Sequence, residues 1–376
     1  RYGRRNMLIV TAVLLFASAV WTGAARSYTE FWMARVLGGF GVGGASVMAP
    51  MYIAEIAPAR RRGLLVSTAQ LAIVLGIVIS FFSNYLLASI GEASWRFMFW
   101  AEGIPAVVYF AMLFFVDESP RWLVRVGRKE EALAVIRETN PEEDPEQVLH
   151  EITLSLADEE ASKHVRLFHA PYLRLVLIGM VVGVLNQCTG INAIMYYAPM
   201  IFKAAGFGQD SALLQTVVIG TTNLVFTFVG MAVIDKVGRK KLLMLGGIAM
   251  PVFLGLFAYG YIREIPGYFL VACTLAYVMF FCTTQGIVIW VILSEMFPNR
   301  IRARASALAS FALWVACALN AFLFPVLKAK IDIGPIFIFY ALVTFASFFF
   351  FWKYLVETKG RTLEEIEALV LDARGK

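Results

Sequence analysis

Charge is scarce in this chain of 376 residues. Only 16% are Asp, Glu, Lys or Arg, while 60% are hydrophobic. A soluble domain carries about a quarter charged residues, so too little charge is present to cover a soluble surface. Histidine is scarcer still. His150, His164 and His169 all lie in or beside one polar segment, which excludes a histidine relay across a membrane. The four cysteines, Cys188, Cys273, Cys282 and Cys317, fall inside hydrophobic runs with neither zinc-site nor disulfide spacing. They read as packing residues, and no metal is expected. There is no P-loop, hydrolase elbow or pair of carboxylates inside an apolar run, so neither catalysis nor a cofactor is expected. The net charge of +6 has no long basic block behind it, so nucleic acid is not an expected partner. What remains is an all-α membrane protein whose solvent is the lipid bilayer.

Long apolar runs are abundant. They cover about 7–25, 31–53, 64–90, 95–116, 172–202, 211–234, 241–262, 267–297, 301–327 and 335–356, each long enough to span a bilayer. The loops between them alternate in charge. One set carries Arg4 and Arg5, Arg60 to Arg62, Arg121 to Lys129, Arg239 to Lys241, Arg300 to Arg304, and Lys359 with Arg361. The other set is short and lacks a basic excess. The positive-inside rule assigns the first set to the cytoplasm of a cell inner (plasma) membrane, and with it both ends of the chain. Residues 1–116 then form a bundle of four spans and 171–356 a bundle of six. Between them 117–170 is a cytoplasmic helical insert, with helices over 127–139 and 144–163 parted by Asn140-Pro141. Residues 357–376 form a cytoplasmic tail.

The two bundles repeat each other. RYGRRNMLI matches DKVGRKKLLM, AEIAPARRRG matches SEMFPNRIRA, and DESPRWL loosely matches VETKGRT. Gly3 and Gly238 are offset by 235 residues, Glu55 and Glu295 by 240, and Glu118 and Glu357 by 239. Three motifs in one order at nearly one offset indicate duplicated, parallel-related halves. The same logic predicts that roughly 60 residues and two spans precede Arg1 in a complete chain, so that ten of twelve spans are present here. Without that pair, uphill transport is not expected.

Polar groups inside the apolar runs are the candidates for function, because each is costly in hydrocarbon unless partnered. The densest stretch is LNQCTGINAIMYYAP, residues 185–199, with Asn186, Gln187, Asn192, Tyr196 and Tyr197. Uncharged amides beside aromatic rings suit a neutral polyhydroxylated ligand, and they equally suit contacts between helices. Gln70, Asn223, Gln285, Trp290 and Asn320 extend the set. Arg35 sits early in its span and needs a partner or a route to the interface. Glycines 38, 39, 41, 43 and 44 allow close helix packing. At the basic face, Arg4, Arg62, Arg121, Arg239 and Arg304 face Glu55, Glu118, Glu295 and Glu357, a charge network able to lock the halves together.

These motifs, RYGRR, ARVLGGFGVG, PMYIAEIAPARRRG, DESPRWL, NQCTGINAIMYYAP, DKVGRK, SEMFPNRIRA and VETKGRT, strongly resemble the sugar porter family of the major facilitator superfamily along essentially the whole chain. The resemblance implies the major facilitator fold and alternating access. It implies proton-coupled symport of a neutral monosaccharide (a pentose, hexose or cyclitol) by a monomer. It implies sugar contacts at Gln70, Gln187, Asn192, Asn223 and Trp290, with Asn186 and Tyr197 beside them. It also implies that Arg35 faces a proton-carrying acid on a first span. The chain departs from the family pattern at Asp117, Val356, Asn186, Ile77, Gln285, Ile287 and Leu313. A passive uniporter and a non-transporting sugar sensor are the alternatives.

Overall fold

The computed structural model describes residues 2–57, 62–162, 167–168, 172–204, 206–298 and 301–359. Among these, all regular structure is helical. The helices are α1 (Arg4–Ala24), α2 (Tyr28–Ile56), α3 (Arg62–Leu87), α4 (Ser94–Ala101), α5 (Gly103–Met112), α6 (Pro120–Arg125), α7 (Lys129–Thr139) and α8 (Pro145–Ser162). They continue as α9 (Leu173–Gln187), α10 (Ile191–Ala204), α11 (Gln209–Val237), α12 (Arg239–Ile262), α13 (Gly267–Thr283), α14 (Gln285–Glu295), α15 (Arg302–Lys330) and α16 (Ile333–Tyr354). Ten stretches among the described residues are long and apolar enough to cross a membrane, as the hydropathy predicts. Three of the ten are broken inside: Ser94–Phe115 at Glu102, Leu173–Lys203 around Cys188–Gly190, and Gly267–Leu293 at Thr284. The chain falls into two compact units, Arg1–Lys163 and His164–Lys376.

In the first unit α1 packs along α2, and α4 and α5 pack on α1. Of the glycines in α2, Gly38, Gly41 and Gly44 recur every third residue and so share a face. A Cβ on them would come within 2.4 Å of Ser18 Oγ, 3.0 Å of Leu15 and 2.6 Å of Thr11 Cγ2 on α1. Gly39 and Gly43 face open space. The stripe lets α1 approach until Ser18 Oγ donates to the Ala34 carbonyl at 2.8 Å. Large apolar side chains such as Phe40, Ile104 and Phe115 point outward, which fits a hydrocarbon solvent.

The helices of the insert form a packed cluster within this unit. Leu123 and Val124 of α6, Ala132 and Val135 of α7, and Leu149, Ile152 and Leu156 of α8 form one small core. Helix α6, absent from the sequence expectation, begins where Ser119 accepts the Trp122 amide and Pro120 occupies the first turn. In the second unit α9 packs on α15 and α12 on α16. Its core centres on Val176, Val182, Leu243, Val288, Ala305, Ala309 and Phe351.

The repeated motifs fold into the same clamp in both units. A glycine with positive φ, 79° at Gly3 and 102° at Gly238, starts α1 and α12. Glu118 Oε1 accepts the backbone amides of Arg4 and Arg5 at 2.7 and 3.1 Å. Glu357 accepts those of Arg239 and Lys240 at 2.9 and 3.1 Å. These amides have no partner within their own helices, and a carboxylate there also meets the positive end of the helix dipole. The arginine after each glycine reaches a second acid. Arg4 Nη2 lies 2.9 Å from Glu55 Oε1, and Arg239 Nη2 lies 3.1 Å from Glu295 Oε1. A hydroxyl beside the capping acid closes the ring: Ser119 donates to Glu55, and Thr358 donates to Glu295 at 2.6 Å.

Glu357→Ala strips the acceptors from two helix-start amides and is expected to destabilise the protein by about 1–3 kcal/mol. Glu357→Gln keeps one acceptor oxygen and should lose less. Melting temperatures in detergent decide. An alanine variant that melts with wild type would mean that the cap adds no stability.

Candidate functional site

The densest polar cluster lies in the second unit, where the long apolar segment bends between α9 and α10. Gly190 has φ 87°, a conformation that side-chain-bearing residues rarely adopt. A Cβ there would lie 2.5 Å from Cδ2 of the Tyr340 ring. The bend exposes backbone carbonyls, and neighbouring helices satisfy them. Asn320 Nδ2 donates to the Gln187 carbonyl at 2.8 Å, and Tyr340 OH donates to Asn320 Oδ1 at 2.8 Å. Tyr277 OH donates to the Thr189 carbonyl at 3.0 Å.

Around the bend three amides form a chain. Asn186 Nδ2 donates to the Gln285 carbonyl at 3.3 Å, at the break between α13 and α14. Gln187 Nε2 donates to Asn186 Oδ1 at 2.9 Å. Asn192 Nδ2 donates to Gln187 Oε1 and, at 3.3 Å, to Cys317 Sγ of α15. Asn186 and Gln187 are buried, whereas Asn192 is only partly so. Tyr196 shares the Asn192 face, as the four-residue spacing predicts, with its hydroxyl 3.9 Å from Cys317 Sγ. All these groups are uncharged. They can exchange hydrogen bonds with hydroxyls without burying an ion.

The remaining expected residues divide. Tyr197 donates to the Ala321 carbonyl at 2.8 Å and stacks on Phe324. Asn223 is buried on α11, where Thr227 and Cys282 both donate to its Oδ1. It is not drawn into the amide chain. Trp290 stands on α14 with 39% of its surface exposed. Gln70 lies partly buried on α3 of the first unit. Gln285 is fully buried, and neither side-chain amide atom finds a partner among the described residues.

Arg35 meets a carboxylate within this chain. Its Nη1 lies 3.3 Å from Glu102 Oε2, at the break between α4 and α5, and its guanidinium sits 5.1 Å from the centre of the Phe99 ring. The helix break turns Glu102 towards α2, which hydropathy alone does not reveal.

The charge network closes within each unit. Each described ion pair and cap of Glu55, Glu118, Glu295 and Glu357 lies within the acid's own unit. Arg121 Nη2 donates to Ser155 Oγ at 3.1 Å, tying α6 to α8. Arg304 lies in the first turn of α15, and the Arg62 side chain lies outside the described residues. Sequence reasoning missed Ser119 and Thr358. Their signal was the hydroxyl residue that follows the acid in both DES and VET. An apolar groove lined by Phe16, Val20, Trp100, Ile104 and Val107 in the first unit offers little to a hydroxylated ligand.

Comparison with known proteins agrees with this geometry. The family described as "Sugar (and other) transporter" matches residues 1–370. The D-xylose-proton symporter of Escherichia coli K12 is 38% identical over 401 residues, covering 98% of this chain and 81% of that protein. The arabinose-proton symporter of Bacillus subtilis is 35% identical over 377 residues, with 98% and 81% covered. Among solved structures, the inward open xylose transporter XylE from E. coli superposes with a TM-score of 0.85 at 35% identity, covering 98% of this chain and 83% of that one. Duplicated basic clamps, ten membrane-length helices and an uncharged amide cluster at a helix bend thus accompany similarity along nearly the whole sequence, and the chain belongs to the sugar transporter family of the major facilitator superfamily.

Proposed function

We propose that the protein carries a neutral monosaccharide across the plasma membrane by alternating access, as a monomer, with proton symport. The carrying observation is the uncharged amide chain that ends at the partly open Asn192, inside a membrane-length helix. A pentose or hexose fits that chemistry, and the related symporters are named for xylose and arabinose. Gln70, Asn223, Trp290 and Tyr197 are the further proposed contacts. For the proton, Glu102 is the candidate. Among the described residues it is the only carboxylate more than one turn inside a membrane-length helix, and it faces Arg35. The clamps, with Arg62, Arg121 and Arg304, are proposed to steady the basic face, which the loop charges assign to the cytoplasm. Residues 117–170 are proposed to lie on that same side.

The test is uptake of labelled sugar by vesicles holding the full-length protein, with and without an imposed pH gradient. Accumulation that follows the gradient is expected. Uptake that ignores it would leave facilitated diffusion, and absence of uptake despite tight binding would leave a sensor. Asn192→Ala removes one ligand bond and should weaken binding about tenfold, or about 1–2 kcal/mol. Gln187→Ala should do more, because it also strands Asn186 Oδ1 and Asn192 Nδ2. Calorimetric titration reads both variants. Unchanged affinity in both would return these amides to a purely structural role.

A further inference from the structure

The amide chain has a direction, and one backbone group sets it. A carbonyl oxygen only accepts. Because the Gln285 carbonyl faces Asn186, that side chain must turn its NH2 there and its Oδ1 the opposite way. Oδ1 then requires the NH2 of Gln187, which in turn leaves Gln187 Oε1 facing Asn192. Asn192 must therefore present its NH2 inward. One hydrogen goes to Gln187 and the other to Cys317 Sγ. Both Asn192 donors are spent inside the protein. Its Oδ1 receives no hydrogen bond from any described residue, and it belongs to the least buried side chain of the three.

We propose that Asn192 presents the sugar with an acceptor only, so that it selects a ring hydroxyl able to donate. Asn186 and the Gln285 carbonyl act on this choice as positioning groups, holding the amides in one orientation. The inference rests on the sugar-transport reading and names what that site demands of its ligand.

Fluorine separates the possibilities, since it is close to a hydroxyl in size, accepts weakly and never donates. The experiment is calorimetric titration of the full-length protein with D-xylose, arabinose and D-glucose, then with the monodeoxy and monofluoro analogues of the tightest binder. At one ring position both replacements should weaken binding about tenfold or more, the loss of one ligand hydrogen bond. In Asn192→Ala the hydroxyl-to-fluorine ratio at that position should fall towards one, while ratios at other positions persist. In Asn186→Leu the released amides can turn over, so the same ratio should shrink. A merely structural role of Asn186 would weaken all analogues alike. Fluorine accepted at every position, or a ratio that survives in Asn192→Ala, would overturn the proposal while leaving transport intact. Failure of all three parent sugars to bind would instead overturn the transport reading beneath it. If Asn186→Leu does not fold, Asn192→Ala decides alone.

Discussion

Gly190→Ala is expected to abolish sugar uptake and to lower the stability of the protein by about 2–5 kcal/mol. Two costs add. An alanine held at φ 87° is strained by about 1–2 kcal/mol. Its Cβ would also stand 2.5 Å from Cδ2 and 2.8 Å from Cγ of Tyr340. Those atoms are the root of a ring, so relief requires backbone movement, and overpacking of this kind costs about 1–3 kcal/mol. The damage would not stay local. Tyr340 holds Asn320, Asn320 holds the Gln187 carbonyl, and Gln187 sits in the middle of the amide chain. Gly255→Ala is the control, because a Cβ there meets nothing within 4 Å. In a helix that change should be neutral or stabilising by up to about 1 kcal/mol. Melting temperature in detergent and uptake at equal expression are the measurements. A Gly190→Ala variant that melts and transports like Gly255→Ala would show that the bend tolerates ordinary backbone geometry.

Arg4→Ala carries the second large effect. Arg4 grips Glu55 with two nitrogens, Nε at 3.0 Å and Nη2 at 2.9 Å, and the two side chains are only 17% and 10% exposed. Removing the guanidinium leaves a poorly solvated carboxylate whose remaining bond is to Ser119. The expected loss is about 2–4 kcal/mol, somewhat below that of a fully buried pair because some solvent reaches it. Arg4→Lys should recover only part, since an ammonium cannot form the two-pronged contact. The double variant Arg4→Ala with Glu55→Ala should be more stable than Arg4→Ala alone, because it also removes the stranded charge. Introduced cysteines near the clamp should become more reactive in Arg4→Ala. Wild-type melting and reactivity would reduce this pair to a topology signal.

Much of this architecture was legible in the sequence, because a hydrocarbon solvent leaves few choices. Every span must be apolar and helical, so hydropathy located all ten. The clamps were legible as a repeat, since glycine, arginine and glutamate recur at one spacing. The partners of those charges were not legible. Opposite charges on one face suggested pairing, but not that Glu118 and Glu357 would cap two helix-start amides within their own units. Helix breaks were less legible. Thr284 interrupts an apolar run with no proline beside it, whereas Pro105, three residues past Glu102, cannot donate to the Ala101 carbonyl. Yet the first break supplies the carbonyl that orients Asn186, and the second brings Glu102 to Arg35. The bonds that Asn223 and Tyr197 make within the second unit were hidden too, because spacing does not name partners on other helices.

The clamps also impose a timetable. The amides of Arg4 and Arg5 cannot be capped until Glu118 has been made, 114 residues after Arg4. At about 5–20 residues per second, that is a wait of roughly 6–23 s. Through that interval α1 starts with uncapped amides and Arg4 lacks half of its ring of partners. The second unit repeats the delay, because Arg239 awaits Glu357, 118 residues later. Each clamp therefore closes only after the helices between its arginine and its capping acid have been made. The first half, whose acid precedes α9 in the chain, is able to close before the second has begun.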